Sequence, residues 1–545
     1  MLIQTPDVIF KKTWQRIPGN IKVTFLSAFL FGVITHFFMM TNTLPNHDDF
    51  RNIVGNLEWS LSMNGRWFSP FMASIGGIFT MPWVYGLLAI VFFSISAGFV
   101  IAITNVKKYL YCALIAGLMV TIPMVAAFFT YMGVTPVNIG SIMFACLAAF
   151  LAVRYKYGFI FATIPIVLSL ALYQVSFSIT AALLVMALIL EVVNNQTTWQ
   201  KTVIKGIKFV GTLVVGMVMY LLSVRVLFPQ GLVGDYQGIS QMGQINLPYL
   251  PLKIRTAYYE IAKFFLLDSR NYHFSFMNIA FALSFVACAV LVVLLCIRKK
   301  LHKEPMKLVL LGLLLLLFPF ACNLVFIMGA RWIHDLMIYA TVFIPIFLLV
   351  VVDMYSREPK EDSAELAGKI KPRIMAASIS TWIITLTILV SMFNYWVVSN
   401  QAYFKLNIGY QVTYAQSILL ISHIQNTPGY REDMEIVLVG SKHVPQGMPE
   451  LHNITIMGAN GPELLLDSWA YTYFLRWHLN FTQDITHIRG GTIWVGLYHN
   501  NEDIINLVSL VEDLPPYPQD GSIVIIDDVI YVRFAYLDMP SYRPF

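Results

Sequence analysis

Two adjacent carboxylates stand beside a histidine and an arginine in the stretch Asn46-His47-Asp48-Asp49-Phe50-Arg51. Glu58 and the triplet Gly65-Arg66-Trp67 follow closely. Like charges at such spacing resist joint ionisation, so one acid of the pair keeps its proton to higher pH. That prepares a carboxylate to act as a general base. Arg51 is closer in sequence to Asp49, which it should make the weaker base; Asp48 is the slightly favoured candidate, and either acid fits. A solvated loop with an Asx turn or a helix cap uses the same residue types, so the rest of the chain must weigh the two readings.

Arginines elsewhere could hold a phosphate, because a planar guanidinium matches its oxygens. Arg66 and Arg331 both lie next to long apolar runs, where a side chain snorkelling to lipid headgroups is the plainer alternative. Arg51 is closer to the acids, and pairing with one of them is its plainer alternative. Tyr173-Gln174 is a polar pair between two apolar runs and offers groups for sugar hydroxyls, or simply an interface aromatic beside a satisfied amide. His47 and His334 each lie near an acid, but two histidines in separate loops do not compose a metal site. Trp332 and the other tryptophans near the same face fit an aromatic belt as well as sugar stacking. Glu58 reads as a solvated helix face. Glu58 and Asp335 are the next carboxylates if the acidic pair proves to be a loop feature.

The elements that position these residues are membrane spans. Of 545 residues, 57% are hydrophobic and only 12% are charged. Apolar runs of about 18 residues or more recur along the chain, the transmembrane signature. About eleven are expected, near 23–43, 82–104, 109–130, 137–153, 158–173, 175–193, 207–228, 274–297, 307–328, 336–354 and 374–396. The net charge of +6 gathers in short connections rather than in a nucleic-acid-binding patch. Lys107-Lys108, Arg154/Lys156, Lys201 to Lys208, Arg298 to Lys303, and Arg357 to Arg373 fall on the same side as the basic N-terminus. The positive-inside rule then places the N-terminus in the cytoplasm and the C-terminus outside. Val23 onward reads as a retained span, since no small-residue cleavage site precedes it. All five cysteines lie in or at the ends of apolar runs, with no metal-type spacing.

Two domains are expected: 1–396, membrane-embedded with a catalytic outer loop at 44–81, and 397–545, a small extracytoplasmic α/β domain. In the latter, short apolar runs at 435–440, 492–497 and 523–532 read as strands, the last a hairpin turning at Asp527-Asp528. Helix-like segments lie near 403–426, 463–479 and 502–513. No P-loop or other nucleotide motif is present.

Asn46-His47-Asp48-Asp49, Gly65-Arg66-Trp67, Tyr173-Gln174 and Ala330-Arg331-Trp332, in this order and on one side, resemble the bacterial GtrII-type glucosyltransferases of the GT-C class. The resemblance covers about the first two-thirds of the chain. It implies a GT-C-like helical polytopic membrane protein that moves a sugar, most readily glucose, from a polyprenyl-phosphate-linked donor. The acceptor would be a surface glycan such as lipopolysaccharide O-antigen or teichoic acid. Transfer would proceed with inversion at the outer face of a bacterial plasma membrane. It further implies a separate donor synthase and a flippase, and a chemistry in which a divalent metal is optional, because lipid phosphate is already a good leaving group. Under it, Asp48 or Asp49 is the base, Arg331, Arg66 and Arg51 hold the donor phosphate, and Tyr173, Gln174, His47, Glu58, Trp332 and Asp335 line the sugar. The rival readings are a transporter or flippase of lipid-linked saccharides and a non-catalytic assembly protein. Internal repeats and broken midplane spans would favour a transporter; no convincing repeat is visible, and the acids lie outside the membrane.

Overall fold

A computed structural model describes residues 5–52, 64–75, 77, 79–195, 197–229, 247–268, 272–328, 333–357, 372–442, 447–467, 470–489, 492–493 and 509–535. The protein is a mostly helical, polytopic membrane protein with a small C-terminal sheet. Among the described residues, nine helices are long and apolar enough to cross a bilayer. They are Gly19–Thr41, Pro82–Thr104, Met132–Arg154, Gln174–Asn194, Trp199–Leu227, Met277–Arg298, Pro305–Cys322, Tyr339–Arg357 and Pro372–Gln425. Tyr109–Thr121 and Pro123–Thr130 make a tenth, bent by 44°. The bend falls at Pro123, which has no N–H to continue the ladder. The expected fifth span is shorter than the sequence suggests. Its apolar helix, Gly158–Leu170, is about 20 Å long, below the roughly 30 Å of a hydrocarbon core.

Prolines sit in the first turn of the helices beginning at Pro82, Thr135 and Pro305, where the missing N–H costs nothing. Asn105 and Asn195 close two helices in the left-handed conformation. Leu26, Leu30, Ile34 and Phe37 form one exposed apolar face of the first span, opposite buried Ala28, Thr35 and Met39. In water such a stripe would drive association; in a bilayer it is the lipid-facing side.

The chain forms two compact units. One comprises Met1–Thr41, Leu57–Phe129 and Val134–Asn400; the other comprises Asn42–Asn56, Thr130–Gly133 and Gln401–Phe545. The acidic loop read from the sequence as part of the membrane domain is therefore divided, with its Asn42–Asn56 portion grouped with the C-terminal residues.

Within the first unit, the basic connections bond to one another. Buried Asp353 accepts the backbone N–H of Lys108 at 3.0 Å and pairs with Arg357 at 2.9 Å. Asn195 donates to the Lys299 carbonyl at 2.9 Å and also meets Lys307. Asn20 donates to the Val106 carbonyl at 2.6 Å.

In the second unit, the segment 401–425 continues the last span without a break, whereas the sequence reading placed separate helices at 374–396 and 403–426. No proline lies between Pro372 and Pro428 to interrupt the ladder. Five strands follow: β1 Glu435–Val439, β2 Ile485–Arg489, β3 Thr492–Ile493, β4 Ile523–Ile526 and β5 Val529–Arg533. Their order is β3-β2-β1-β5-β4, with β1 central and parallel to both neighbours. Strands β4 and β5 form the expected hairpin, Asp527 and Asp528 both taking positive φ at its turn. Strand β2 escapes sequence reading because Thr486, His487 and Arg489 interrupt its apolar run. Val437, Val439, Ile488, Val511 and Tyr531 form the core of this sheet. The expected helix at 502–513 lies largely outside the described residues.

Candidate active site

The acidic stretch folds around Asn46, whose side chain is fully buried. Its Oδ1 accepts the backbone N–H groups of Asp48 at 2.8 Å and Asp49 at 2.9 Å. This Asx turn starts the short helix Asp49–Asn52 and aims the two acids apart. Asn46 Nδ2 is buried without a hydrogen-bond partner among the described residues. Phe50 anchors the turn, its ring 4.8 Å from Phe474 and 5.6 Å from His478.

The acids receive opposite environments. Asp49 is 2% exposed, and its two oxygens accept the backbone N–H groups of Gly133 and Met132, each at 3.0 Å. Burial pushes its carboxyl up to about 7; the Asp48 charge adds to the rise, and the two amides oppose it. The Asp48 side chain is 42% exposed, with Oδ1 3.4 Å from His47 Nε2. The other His47 ring nitrogen, Nδ1, lies 2.9 Å from Asn460 Oδ1, and Tyr131 meets the same ring edge-on.

A second cluster lies in the membrane unit. Arg66 Nε donates to Gln174 Oε1 at 3.3 Å, and its guanidinium stacks over the Tyr173 ring at 4.6 Å. Gln174 Nε2 donates to the Asn64 carbonyl and to the Tyr220 hydroxyl, both at 2.9 Å. Tyr220 in turn donates to the Gly65 carbonyl at 3.2 Å, and Trp67 Nε1 donates to Ser223 Oγ at 3.0 Å. Tyr173 is extended and breaks the chain between two apolar helices, which brings Gln174 to Arg66. Among the described residues, the hydrogen bond of the Arg66 side chain is the one from Nε. Both ring nitrogens of His334 are buried without a partner among these residues. Burial holds its pKa down to about 4, and the nearby Arg66 charge contributes, so the ring is neutral at pH 7.

Comparison with known sequences decides the family. The family model described as glucosyl transferase GtrII matches residues 37–351, more than half of the chain. The protein belongs to the GtrII glucosyltransferase family. No curated protein and no solved structure matches the chain.

The GtrII match includes the acidic pair, Arg66, the Tyr173-Gln174 break and Arg331, and it ends before Asn460. Three expected site residues, Glu58, Arg331 and Trp332, lie outside the described residues, as does the Arg51 side chain. Asp335 opens a single helical turn, Asp335–Met337. The electrostatic ranking of the acids read from the sequence is corrected. Asp49 is the carboxyl with the raised pKa, and burial rather than its neighbour is the main cause. The Gln174 amide is hydrogen-bonded to Arg66, Asn64 and Tyr220, in keeping with the satisfied amide that the sequence also allowed. Tyr220, Asn460 and the amides of Met132 and Gly133 were not legible as site residues. Asn460 precedes Gly461-Pro462 and signals only a turn.

Proposed function

We propose that this membrane glucosyltransferase moves glucose, with inversion, from a polyprenyl-phosphate donor to a surface-glycan hydroxyl, with Asp48 as general base. One observation carries this reading: of the two acids within the GtrII match, Asp49 has both oxygens occupied by buried amides, whereas the Asp48 side chain is 42% exposed. Asp48 takes the proton of the acceptor hydroxyl as that oxygen attacks the anomeric carbon. The C1–O bond to phosphate breaks on the opposite side, and its electron pair leaves with the lipid phosphate. Arg66 holds that phosphate through its terminal nitrogens, with Tyr173 and Gln174 fixing the guanidinium. Arg331 is proposed for the same role, and Trp332, Asp335 and Glu58 for the sugar, on sequence grounds. A GT-C-type protein of this kind works at the outer face of a bacterial plasma membrane. It uses donor made by a separate synthase and delivered by a flippase, and the phosphate chemistry leaves a divalent metal optional.

The test is turnover of radiolabelled glucosyl-phosphoryl-polyprenol by the purified full chain in a bilayer, with cell-envelope glycan as acceptor. Asp48→Asn should lower kcat by about 100- to 10,000-fold while donor KM changes little. Wild-type kcat in a folded Asp48→Asn protein would remove Asp48 from the role.

A further inference from the structure

We propose that His47 is a proton relay behind Asp48, and that Asn460 is the positioning residue that fixes its ring for this task. The inference rests on the reading of Asp48 as the base. It assigns to the C-terminal residues, beyond the GtrII match, a part in the chemistry.

Hydrogen-bond geometry carries the argument. The backbone N–H of His47 can only donate, and it points at the Asn460 amide at 3.4 Å. The atom placed there is therefore the amide oxygen. His47 Nδ1 lies 2.9 Å from that same oxygen, so Nδ1 must carry a hydrogen. In the neutral ring the lone pair is then on Nε2, which faces Asp48 Oδ1 at 3.4 Å. Two facing lone pairs form no bond, but one proton between them does. The pair is thus arranged to hold a proton, and both ring nitrogens are engaged. An acceptor hydroxyl reaches the pair through the other oxygen of Asp48, the more exposed partner at 42% against 22% for His47. The titratable groups facing the ring are Asp48 and Tyr131, with the Asp49 carboxyl next to Asp48.

Asn460 is held from both sides. Its N–H donates to the Gly458 carbonyl at 2.9 Å, and Thr130 Oγ1 ties the preceding Met457 carbonyl at 2.8 Å. Its own carbonyl lies against Gly409, where a Cβ would come within 2.6 Å of that oxygen. The long helix can carry only a glycine at this point without displacing the loop.

The step balances with no further reactant. The acceptor O–H bond breaks as the new C1–O bond forms, and the proton passes to Asp48. The Asp48 carboxyl then turns, gives that same proton to His47 Nε2 and is again a carboxylate. The imidazolium, stabilised by that carboxylate and by Asn460 Oδ1, later releases the proton to water.

The same turnover assay, run across pH, tests the relay with His47→Gln, Asn460→Asp and Asp48→Asn. His47→Gln should lower kcat about 10- to 100-fold, leave donor KM unchanged and alter the acid limb of the kcat–pH profile. Asn460→Asp places a negative charge on Nδ1–H, so it should retain kcat at high pH and move the acid limb to higher pH. A merely structural contact would give lower kcat in Asn460→Asp with the limb unmoved, and that result overturns the relay. So does wild-type kcat with an unchanged profile in His47→Gln. If His47→Gln does not fold, the position of the limb in Asn460→Asp decides alone. Loss of activity in Asp48→Asn together with a failed relay result leaves Asp48 as base; wild-type activity in Asp48→Asn removes both.

Discussion

Single residues divide the labour in the acidic pair. Asp49 is braced by two amides and buried, so its substitution should act on the fold. In Asp49→Asn the side-chain NH2 must face either the Met132 or the Gly133 N–H, losing one bond and opposing two donors. The expected cost is about 1–3 kcal/mol in thermal or denaturant unfolding, with a smaller drop in kcat than Asp48→Asn. The folded carboxyl binds its proton more tightly than the unfolded one. Its stabilising contribution is therefore complete below the ordinary value of 3.8 and is lost as the pH rises to about 7. Melting curves across this window should show wild type losing stability relative to Asp49→Asn as pH increases; parallel curves would mean that the two amides, not burial, govern the group. Arg66→Ala should raise donor KM about 10- to 150-fold, since an ionic hydrogen bond contributes about 1.5–3 kcal/mol. Arg66→Lys should recover only part, because a fork becomes a point charge. An unchanged KM in folded Arg66→Ala would assign this arginine to lipid headgroups.

At the scale of elements, the Arg66 cluster depends on a backbone turn as much as on side chains. Gly65 has a φ of +77°, and a Cβ there would lie 2.7 Å from the Tyr220 hydroxyl. Gly65→Ala should cost about 1–2 kcal/mol from the left-handed backbone alone and loosen the Gln174–Tyr220 pair. The expected readout is a higher donor KM with kcat largely kept. Adding Tyr220→Phe removes the clash, so the double variant should be less impaired than the sum of the two single changes. Strict additivity would show that the two positions do not share this contact. The break at Tyr173 has the same logic: an extended residue between two apolar helices turns a glutamine amide toward the arginine.

For the whole molecule, the proposed orientation places Asn42–Asn56 and the C-terminal sheet outside the cell. Ser522 lies in a convenient stretch but is 2% exposed, whereas neighbouring Asp520 is exposed. Asp520→Cys should react with an impermeant thiol reagent on intact cells, or on spheroplasts where an outer membrane intervenes. Lys201→Cys, exposed on the opposite set of connections, should react only after the plasma membrane is opened. The reverse pattern would invert the protein and remove the outer-face chemistry. The background is small, since four of the five cysteines are buried and Cys296 is partly covered.

Much of the architecture was legible because membrane burial is written locally. Long apolar runs, prolines at helix starts and basic connections each carry their meaning in neighbouring residues, so the spans and the family emerged without coordinates. The Asp527-Asp528 hairpin was legible for the same reason. Strand β2 and the unbroken helix Pro372–Gln425 were not, since a parallel strand is defined by partners distant in sequence and a helix end by a break that never comes. The site divides in the same way. Residue types at 46–51, 66 and 173–174 marked out candidates for proton transfer, phosphate binding and sugar binding. Only the tertiary structure determined that Asp49 is sealed by the amides of residues 132 and 133, that Gln174 is bound to Arg66, and that Asn460 orients His47 across more than four hundred residues of chain. Burial and hydrogen-bond partnership belong to the surroundings of a side chain, and here those surroundings come from chain segments far apart in sequence.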